Sequence, residues 1–241
     1  MSGDVSRETP ELAARVFPGD RMTLAQDYAR LLAGDGVVRG LMGPREVPRL
    51  WERHLLNCAA LGELIPPGAA VIDIGSGAGL PGVVLAIARP DVTVTLVEPL
   101  LRRTTFLEEV VSSLGLDSVE VVRGRADTLH GKRRADVVTA RAVAPLATLL
   151  DWAMPLVAPT GVLLAMKGAS ARAEIEAATE QWRRWKTAPA ELLTVGEELG
   201  EARTTIVRVA WANPAEVGLR LAAGDSTHSR GGTARRRKQS R

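Results

Sequence analysis

One stretch limits the choice of fold more than any other. The apolar run Ala70-Val71-Ile72-Asp73-Ile74 passes directly into Gly75-Ser76-Gly77-Ala78-Gly79-Leu80, so three glycines fall within five residues of its end. A short apolar run closed by glycine reads as a buried strand. The segment that follows, Leu80 to Arg89, reads as a helix with Pro81 in its first turn and Pro90 as its stop. A glycine loop between a strand end and a helix start lets a ligand approach bare backbone and meet unpaired N–H groups. The unit is therefore a small-molecule site as well as a piece of an α/β fold.

The rest of the chain repeats the alternation. Val92 to Val97, Val119 to Val122, Asp136 to Thr139, Val162 to Met166 and Thr204 to Trp211 are strand candidates. Between them come a helix after Pro99, with Leu100, Leu107, Val111 and Leu114 on one stripe, and a helix from Leu146 to Leu156. A further helix carries Ala171, Ile175, Ala178, Trp182 and Trp185 on one face. Such alternation predicts a mostly parallel sheet covered on both faces. Upstream, residues 10 to 65 read as helical, with a break at Gly34-Asp35-Gly36 and a second amphipathic pattern through Trp51, His54, Leu55 and Cys58. Pro66-Pro67-Gly68 marks a boundary. The expected organisation is a helical cap over 1–65, a catalytic domain over 66–212 and a tail over 213–241.

The charge balance supports that division. Six basic residues, Arg230, Arg235, Arg236, Arg237, Lys238 and Arg241, follow His228 with no acid among them. Without them the formal charge of +3 becomes about three negative for the body of the chain. The basicity belongs to a glycine-containing segment too poor in apolar residues to offset its ordering entropy, so the tail is expected to be disordered. No apolar run approaches the roughly 20 residues that span a bilayer. The first residues carry acids and no secretory core. The single cysteine, Cys58, rules out an internal disulfide. A cytoplasmic protein acting away from membranes is expected, with no metal site from three scattered histidines, and a monomer.

Which ligand the loop takes depends on register. A dinucleotide fingerprint can be read from Gly77, Gly79 and Gly82, but it starts two residues late and has Pro81 inside its turn. At the strand end the pattern is Asp-x-Gly-x-Gly-x-Gly, beginning with Asp73. S-adenosylmethionine has a cationic amino-acid end, a sulfonium and no pyrophosphate, so an acid there is useful rather than repulsive. Glu98 ends the second strand and can accept both ribose hydroxyl protons, a role that NAD sites share. The leading reading is therefore a methyltransferase binding S-adenosylmethionine through Asp73, Gly75, Gly77, Gly79 and Glu98. Two others stand beside it: an NAD-dependent oxidoreductase, and a non-catalytic ribosome-assembly factor that binds RNA.

Basic residues supply candidates for RNA contact. Arg45, Arg49 and Arg53 recur every fourth residue, so a helix through them would present a ridge to phosphates, although Glu46 and Glu52 are interleaved. The loop from Arg123 to Arg134 adds five more cations. His54 lies on the apolar stripe, as a core histidine or an RNA contact. Trp182 and Trp185 read as core rather than stacking platforms, and Cys58 as a buried, inert thiol.

Three segments carry a likeness to a known family. Arg53-His54-Leu55-Leu56-Asn57, Asp73 through Gly82 with its Leu-Pro-Gly extension, and Thr139-Ala140-Arg141-Ala142-Val143-Ala144 resemble the GidB-type small-subunit ribosomal RNA methyltransferases, and Met166-Lys167-Gly168 narrows the match. The resemblance runs from about residue 20 to about residue 211 and leaves out the tail. It implies a class I, Rossmann-like methyltransferase fold, with seven strands, the last antiparallel, behind a small helical cap. It implies methylation of a guanine N7 in the decoding-region loop of 16S ribosomal RNA. By matching position, Gly75 and Leu80 would contact the cofactor, Ala126 and Asp127 would cover the adenine, and Arg141 would lie near the methionine end or the target base. The chain departs from the family at Asn57 and Cys58, where aspartate and serine are usual.

The chemistry assigns two more roles. Guanine N7 carries a lone pair and no proton, so no general base is required and alignment dominates. A cation on N7 would compete for that lone pair, which assigns Arg141 and Lys167, the catalytic candidates, to phosphate or O6 contacts. Arg49, Arg53 and His54 are the candidates for RNA binding.

Overall fold

The computed structural model describes residues 10–217. The basic cluster of the tail lies outside them. Seven strands form one sheet: β1 (Ala70–Ile74), β2 (Thr93–Glu98), β3 (Val119–Arg123), β4 (Ala135–Arg141), β5 (Val157–Lys167), β6 (Glu191–Val195) and β7 (Thr204–Ala210), in the order β3-β2-β1-β4-β5-β7-β6. β1 runs parallel to both β2 and β4, with Ile72 level with Thr95 on one side and Val138 on the other. Only β7 is reversed, lying antiparallel to β5 and to β6. This is the mostly parallel sheet expected from the alternation, in the seven-stranded Rossmann-like form that the family resemblance implied.

The order of strands decides where a ligand can sit. β1 leads outward to β2 and β3, whereas β4 leads to β5 on the other side. The loops leaving β1 and β4 therefore diverge and open a crevice at the carboxyl edge.

Among the described residues, eight α-helical segments accompany the sheet: α1 (Ala13–Val16), α2 (Asp20–Leu31), α3 (Asn57–Ala59), α4 (Gly82–Ala88), α5 (Leu101–Ser113), α6 (Leu146–Ala153), α7 (Ala171–Ala177) and α8 (Thr179–Trp185). α4 explains why a cap is needed. Its sequence, GVVLAIA, is apolar on every face, and Gly82 through Ile87 are all buried. A helix apolar all round must be covered on both sides. The sheet covers one side of α4, and α2 and α3 of the cap touch the helix as well. Cap residues Phe17, Tyr28, Leu32, Leu55 and Leu61 share one apolar cluster with Val83, Leu85 and Leu107. Truncating any such fully buried leucine to alanine costs roughly 2–5 kcal/mol.

Several local expectations need correction. The chain does not break at Gly34-Asp35-Gly36: α2 continues as a π-type turn over Leu32–Gly36. Two glycines weaken a helix, but packing of Leu32 and Gly36 against the core holds this one together. Arg45, Arg49 and Arg53 share no α-helix, because Pro44–Arg49 is a 3-10 segment containing Pro48 and Trp51–Leu56 is π-type. Their spacing therefore does not line up as a single ridge. Of the stripe expected on α5, Leu107 and Leu114 are buried and Val111 packs against the core, but Leu100, just before the helix, is half exposed, and Phe106 and Val110 join the buried face. The helix expected through Trp182 and Trp185 is two, α7 and α8, divided at Ala178, whose ψ of 25° leaves the helical range. β6 carried no sequence signal, since as an edge strand it is largely exposed. Both tryptophans are structural: the Trp182 indole donates to the Ile175 carbonyl and that of Trp185 to Asp151.

Candidate functional site

The loop after β1 is pinned from three directions. Gly75 and Ser76 donate their amides to the Val97 carbonyl of β2 at 2.8 and 3.2 Å. The phenol of Tyr28, fully buried in the cap, donates to the Ala78 carbonyl at 2.7 Å. The Gly82 amide donates to Asp73 Oδ2 at 3.0 Å. The glycines are required by shape. Gly79 has φ of +100°, and a Cβ there would lie 2.5 Å from a Val83 methyl and 2.8 Å from the Tyr28 hydroxyl. A Cβ on Gly82 would lie 2.3 Å from Leu96, so that glycine serves tight helix–strand packing and not a pyrophosphate.

Two acids lie at this edge, both buried. Glu98 is 1% exposed, and its carboxylate accepts from the Gly77 amide at 3.1 Å and the Leu100 amide at 3.0 Å, with Arg103 at 3.4 Å. It therefore ties the glycine loop to the end of β2 and still faces the crevice, where a carboxylate has lone pairs to spare. Asp73 differs. It is wholly buried beneath the loop, and burial raises its carboxyl from the ordinary value to about 7 against the hydrogen bond from Gly82. Its Oδ1 has no hydrogen-bond partner.

Two cavities flank the residues after β4. The first, about 540 Å³, is bounded by Gly75, Glu98, Pro99, Leu100, Arg103, Ala126, Asp127 and Trp152. That volume is ordinary for a small-molecule site. A bare glycine at one end, a buried carboxylate in the middle and an alanine followed by an acid at the far end suit an adenosine with an amino-acid tail. The second cavity is more open, about 970 Å³, and is bounded by Arg53, Asn57, Arg141, Lys167, Glu174 and Arg203. Ala142 and Val143 belong to both walls. Ala142 has φ of +54°, a conformation an L residue adopts only when its surroundings impose it. The kink sets Val143 beside Gly75, where a Cβ would come within 2.8 Å of its methyl.

The residues singled out in the sequence divide among these places. Gly75, Glu98, Ala126 and Asp127 line the smaller cavity. Asp73 lies behind it, while Gly77 and Gly79 shape the loop without lining either cavity. Leu80 packs against the core cluster. Arg141 and Lys167 line the larger cavity with Arg53. Lys167 donates to the Ala144 carbonyl and to Glu174, both at 2.7 Å. Arg49 is exposed, and His54 is buried with both ring nitrogens engaged inside the chain.

Three residues escaped the sequence reading. Trp152 and Arg103 border the smaller cavity, and Arg203 the larger, with no motif to mark them. Asn57 donates to the Ala202 and Arg203 carbonyls at 3.2 Å each, which a carboxylate at this position could not do. Cys58 is buried and accepts from Arg141 at 2.9 Å, and its thiol is pushed up by burial. No group of His, Cys, Asp or Glu among the described residues is arranged to hold a metal, and none of their helices is long and apolar enough to cross a membrane.

Comparison with known proteins supplies the remaining evidence. The family model for GidB, rRNA small subunit methyltransferase G, matches residues 21–204. A ribosomal RNA small subunit methyltransferase G of Nocardioides is 62% identical over 98% of this chain and 94% of its own length. Its counterpart in Thermobifida fusca is 56% identical over 94% of this chain and 96% of its own. Among solved structures, the M1A22 tRNA methyltransferase TrmK of B. subtilis superposes with a TM-score of 0.51 at 18% identity, over 70% of this chain and 69% of that one. That likeness concerns the fold.

Proposed function

The chain belongs to the GidB family, the rRNA small subunit methyltransferase G proteins, and from that premise we propose that its two cavities hold the two partners of a single methyl transfer. The protein is a methyltransferase of small-subunit ribosomal RNA that uses S-adenosylmethionine. The acceptor is N7 of a guanine in the decoding-region loop of 16S RNA. The observation that carries the reading is the shared wall: Ala142 and Val143 divide a cavity shaped for a nucleoside from one lined by cations.

S-adenosylmethionine, when bound, supplies a methyl group made electrophilic by the adjoining sulfonium. The chain's own residues do the rest. Glu98 would hold the ribose, and Ala126 and Asp127 would border the adenine end. Asp73 acts from beneath, holding the Gly82 amide and thereby the form of the loop. Guanine N7 carries its own lone pair and no proton, so no residue of the chain would have to act as a base, and alignment of the acceptor would be the chain's main contribution. Arg141, Lys167, Arg49 and Arg53 serve phosphate or O6 contacts, and their positive field would attract RNA at a rate that falls with salt. His54 stands behind Arg141 in this arrangement. The protein works as a monomer in the cytoplasm, in three parts: the cap over 1–65, the catalytic domain over 66–212 and the basic tail over 213–241.

The test is transfer of a labelled methyl group from S-adenosylmethionine to 30S particles and to free 16S RNA, with mass spectrometry of the product. One new 7-methylguanine in the decoding region is the expected result. Labelling of a different base, or none, would reject the assignment.

A further inference from the structure

Arg141 is held by one short segment of the cap. Its guanidinium donates to Cys58 Sγ at 2.9 Å, to the Arg53 carbonyl at 3.2 Å and to His54 Nδ1 at 2.6 Å. A guanidinium has donors only, so Nδ1 must present a lone pair. The imidazole then carries its proton on Nε2, which lies 2.9 Å from Glu46 Oε2. His54 is 8% exposed, which leaves little room for water to substitute for either partner. A line of donors and acceptors therefore runs from the partly exposed Glu46, through His54, to the cation beside the wall between the cavities.

We propose that Glu46 and His54 form a positioning pair that fixes Arg141 for RNA turnover, with His54 as the neutral tautomer protonated on Nε2. The proposal rests on the function assigned above, in which Arg141 borders the RNA cavity. Glu46 sets the imidazole by accepting from Nε2, as an outer carboxylate orients many functional histidines. A second proton on His54 would turn Nδ1 into a donor facing a donor, and Arg141 would lose its hold. The charges around the ring are Glu46 and Arg49 from the 3-10 segment, Arg53 from its own segment and Arg141 from β4, with Cys58, Asp73 and Tyr28 beyond the guanidinium. Burial, then Arg141 and Arg53, push the imidazole below its ordinary value, and Glu46 pulls it partly back. The hydrogen bond from His54 in turn holds Glu46 below the usual carboxylate range, helped by Arg53 and Arg49.

The experiment compares the unsubstituted protein with His54→Ala and His54→Gln, all checked for folding by thermal melting. Methyl transfer to 16S RNA is followed from about pH 5 to about pH 8.5, the range in which histidine titrates. His54→Ala should lower kcat on the order of 10- to 100-fold, as misplacement of an aligned group does, with affinity for S-adenosylmethionine unchanged. Glutamine offers an acceptor and a donor but does not titrate, so His54→Gln should recover most of the turnover and make the acid limb of the pH profile shallower, leaving the part that Asp73, at about 7, contributes. Imidazole nitrogen NMR of the unsubstituted protein should find Nε2 protonated and Nδ1 bare. A proton on Nδ1, a folded His54→Gln no better than His54→Ala, or an acid limb unchanged in His54→Gln would each overturn the pair. Absence of any transfer by the unsubstituted protein would instead overturn the proposed function, and the tautomer measurement would then decide the pair by itself.

Discussion

The two cavities meet at the same two residues yet are built by opposite means. The smaller is shaped by backbone: a glycine loop pinned to Val97, Tyr28 and Asp73, with a buried carboxylate beside it. The larger is shaped by side chains arriving from the cap, β4, β5 and the start of β7. Backbone held by packing tolerates almost no added atom, whereas long cationic side chains reorient at small cost. The smaller cavity should therefore fail abruptly under substitution and the larger by degrees.

The comparison can be broken most directly at Gly79. Gly79→Ala places a Cβ against Val83 and Tyr28 in a left-handed conformation, and strain plus overpacking should cost on the order of 3–5 kcal/mol. Calorimetry should show at least a roughly 100-fold loss of S-adenosylmethionine affinity, about 2.7 kcal/mol. Affinity within a few-fold of the original would show that the loop is not rigid.

Asp73 offers a pH test of the same region. Its carboxyl titrates at about 7 in the fold and at 3.8 ordinarily. Between those values the folded chain keeps a proton that the unfolded chain has lost, so this contribution to stability is complete below the lower value and disappears as pH rises through about 7. The whole change is on the order of 4 kcal/mol. Asp73→Asn can still accept from Gly82 and does not ionise. It should melt above the unsubstituted protein at alkaline pH and close to it at acid pH. Parallel melting curves across the range would contradict a buried, raised carboxyl.

In the larger cavity the losses should be confined to RNA. Arg141→Ala should lower turnover on 30S particles by about 100-fold while leaving cofactor affinity within a few-fold, since the residue borders only the larger cavity. A matching loss in cofactor affinity would mean that the two cavities are not separate. The smallest effect belongs to Arg203→Ala. Arg203 is an exposed cation bordering the larger cavity, so its loss should raise KM for RNA roughly 10-fold and reduce the salt slope by about one ion, with kcat unchanged. An unchanged salt dependence would remove Arg203 from the RNA surface.

The same contrast explains how much could be read in advance. The loop and Glu98 lie on or just after neighbouring strands, where spacing along the chain equals placement in space, whereas Ala126 and Asp127 came only from the family resemblance. Arg141 and Lys167 were visible for the same reason, as strand ends at a carboxyl edge. Arg203, Trp152 and Arg103 have no local signature, because their roles depend on which strands and helices become neighbours. His54 was ambiguous for a related reason: its stripe of Trp51, Leu55 and Cys58 indicated burial, but its partners lie eight residues before it and on a strand far along the chain. The spacing of Arg45, Arg49 and Arg53 misled because Pro48 and the π-type turn changed the period of the helix.

The chain alone determined the alternation of strands and helices, the glycine loop and the acids at its edge, since these rest on short-range sterics and periodicity. Tertiary structure decided that Asp73 lies beneath the loop, that α4 is covered by the cap, and that Arg141 is held by His54. Those outcomes require segments distant in sequence to become adjacent, and burial then changes what each polar group can do.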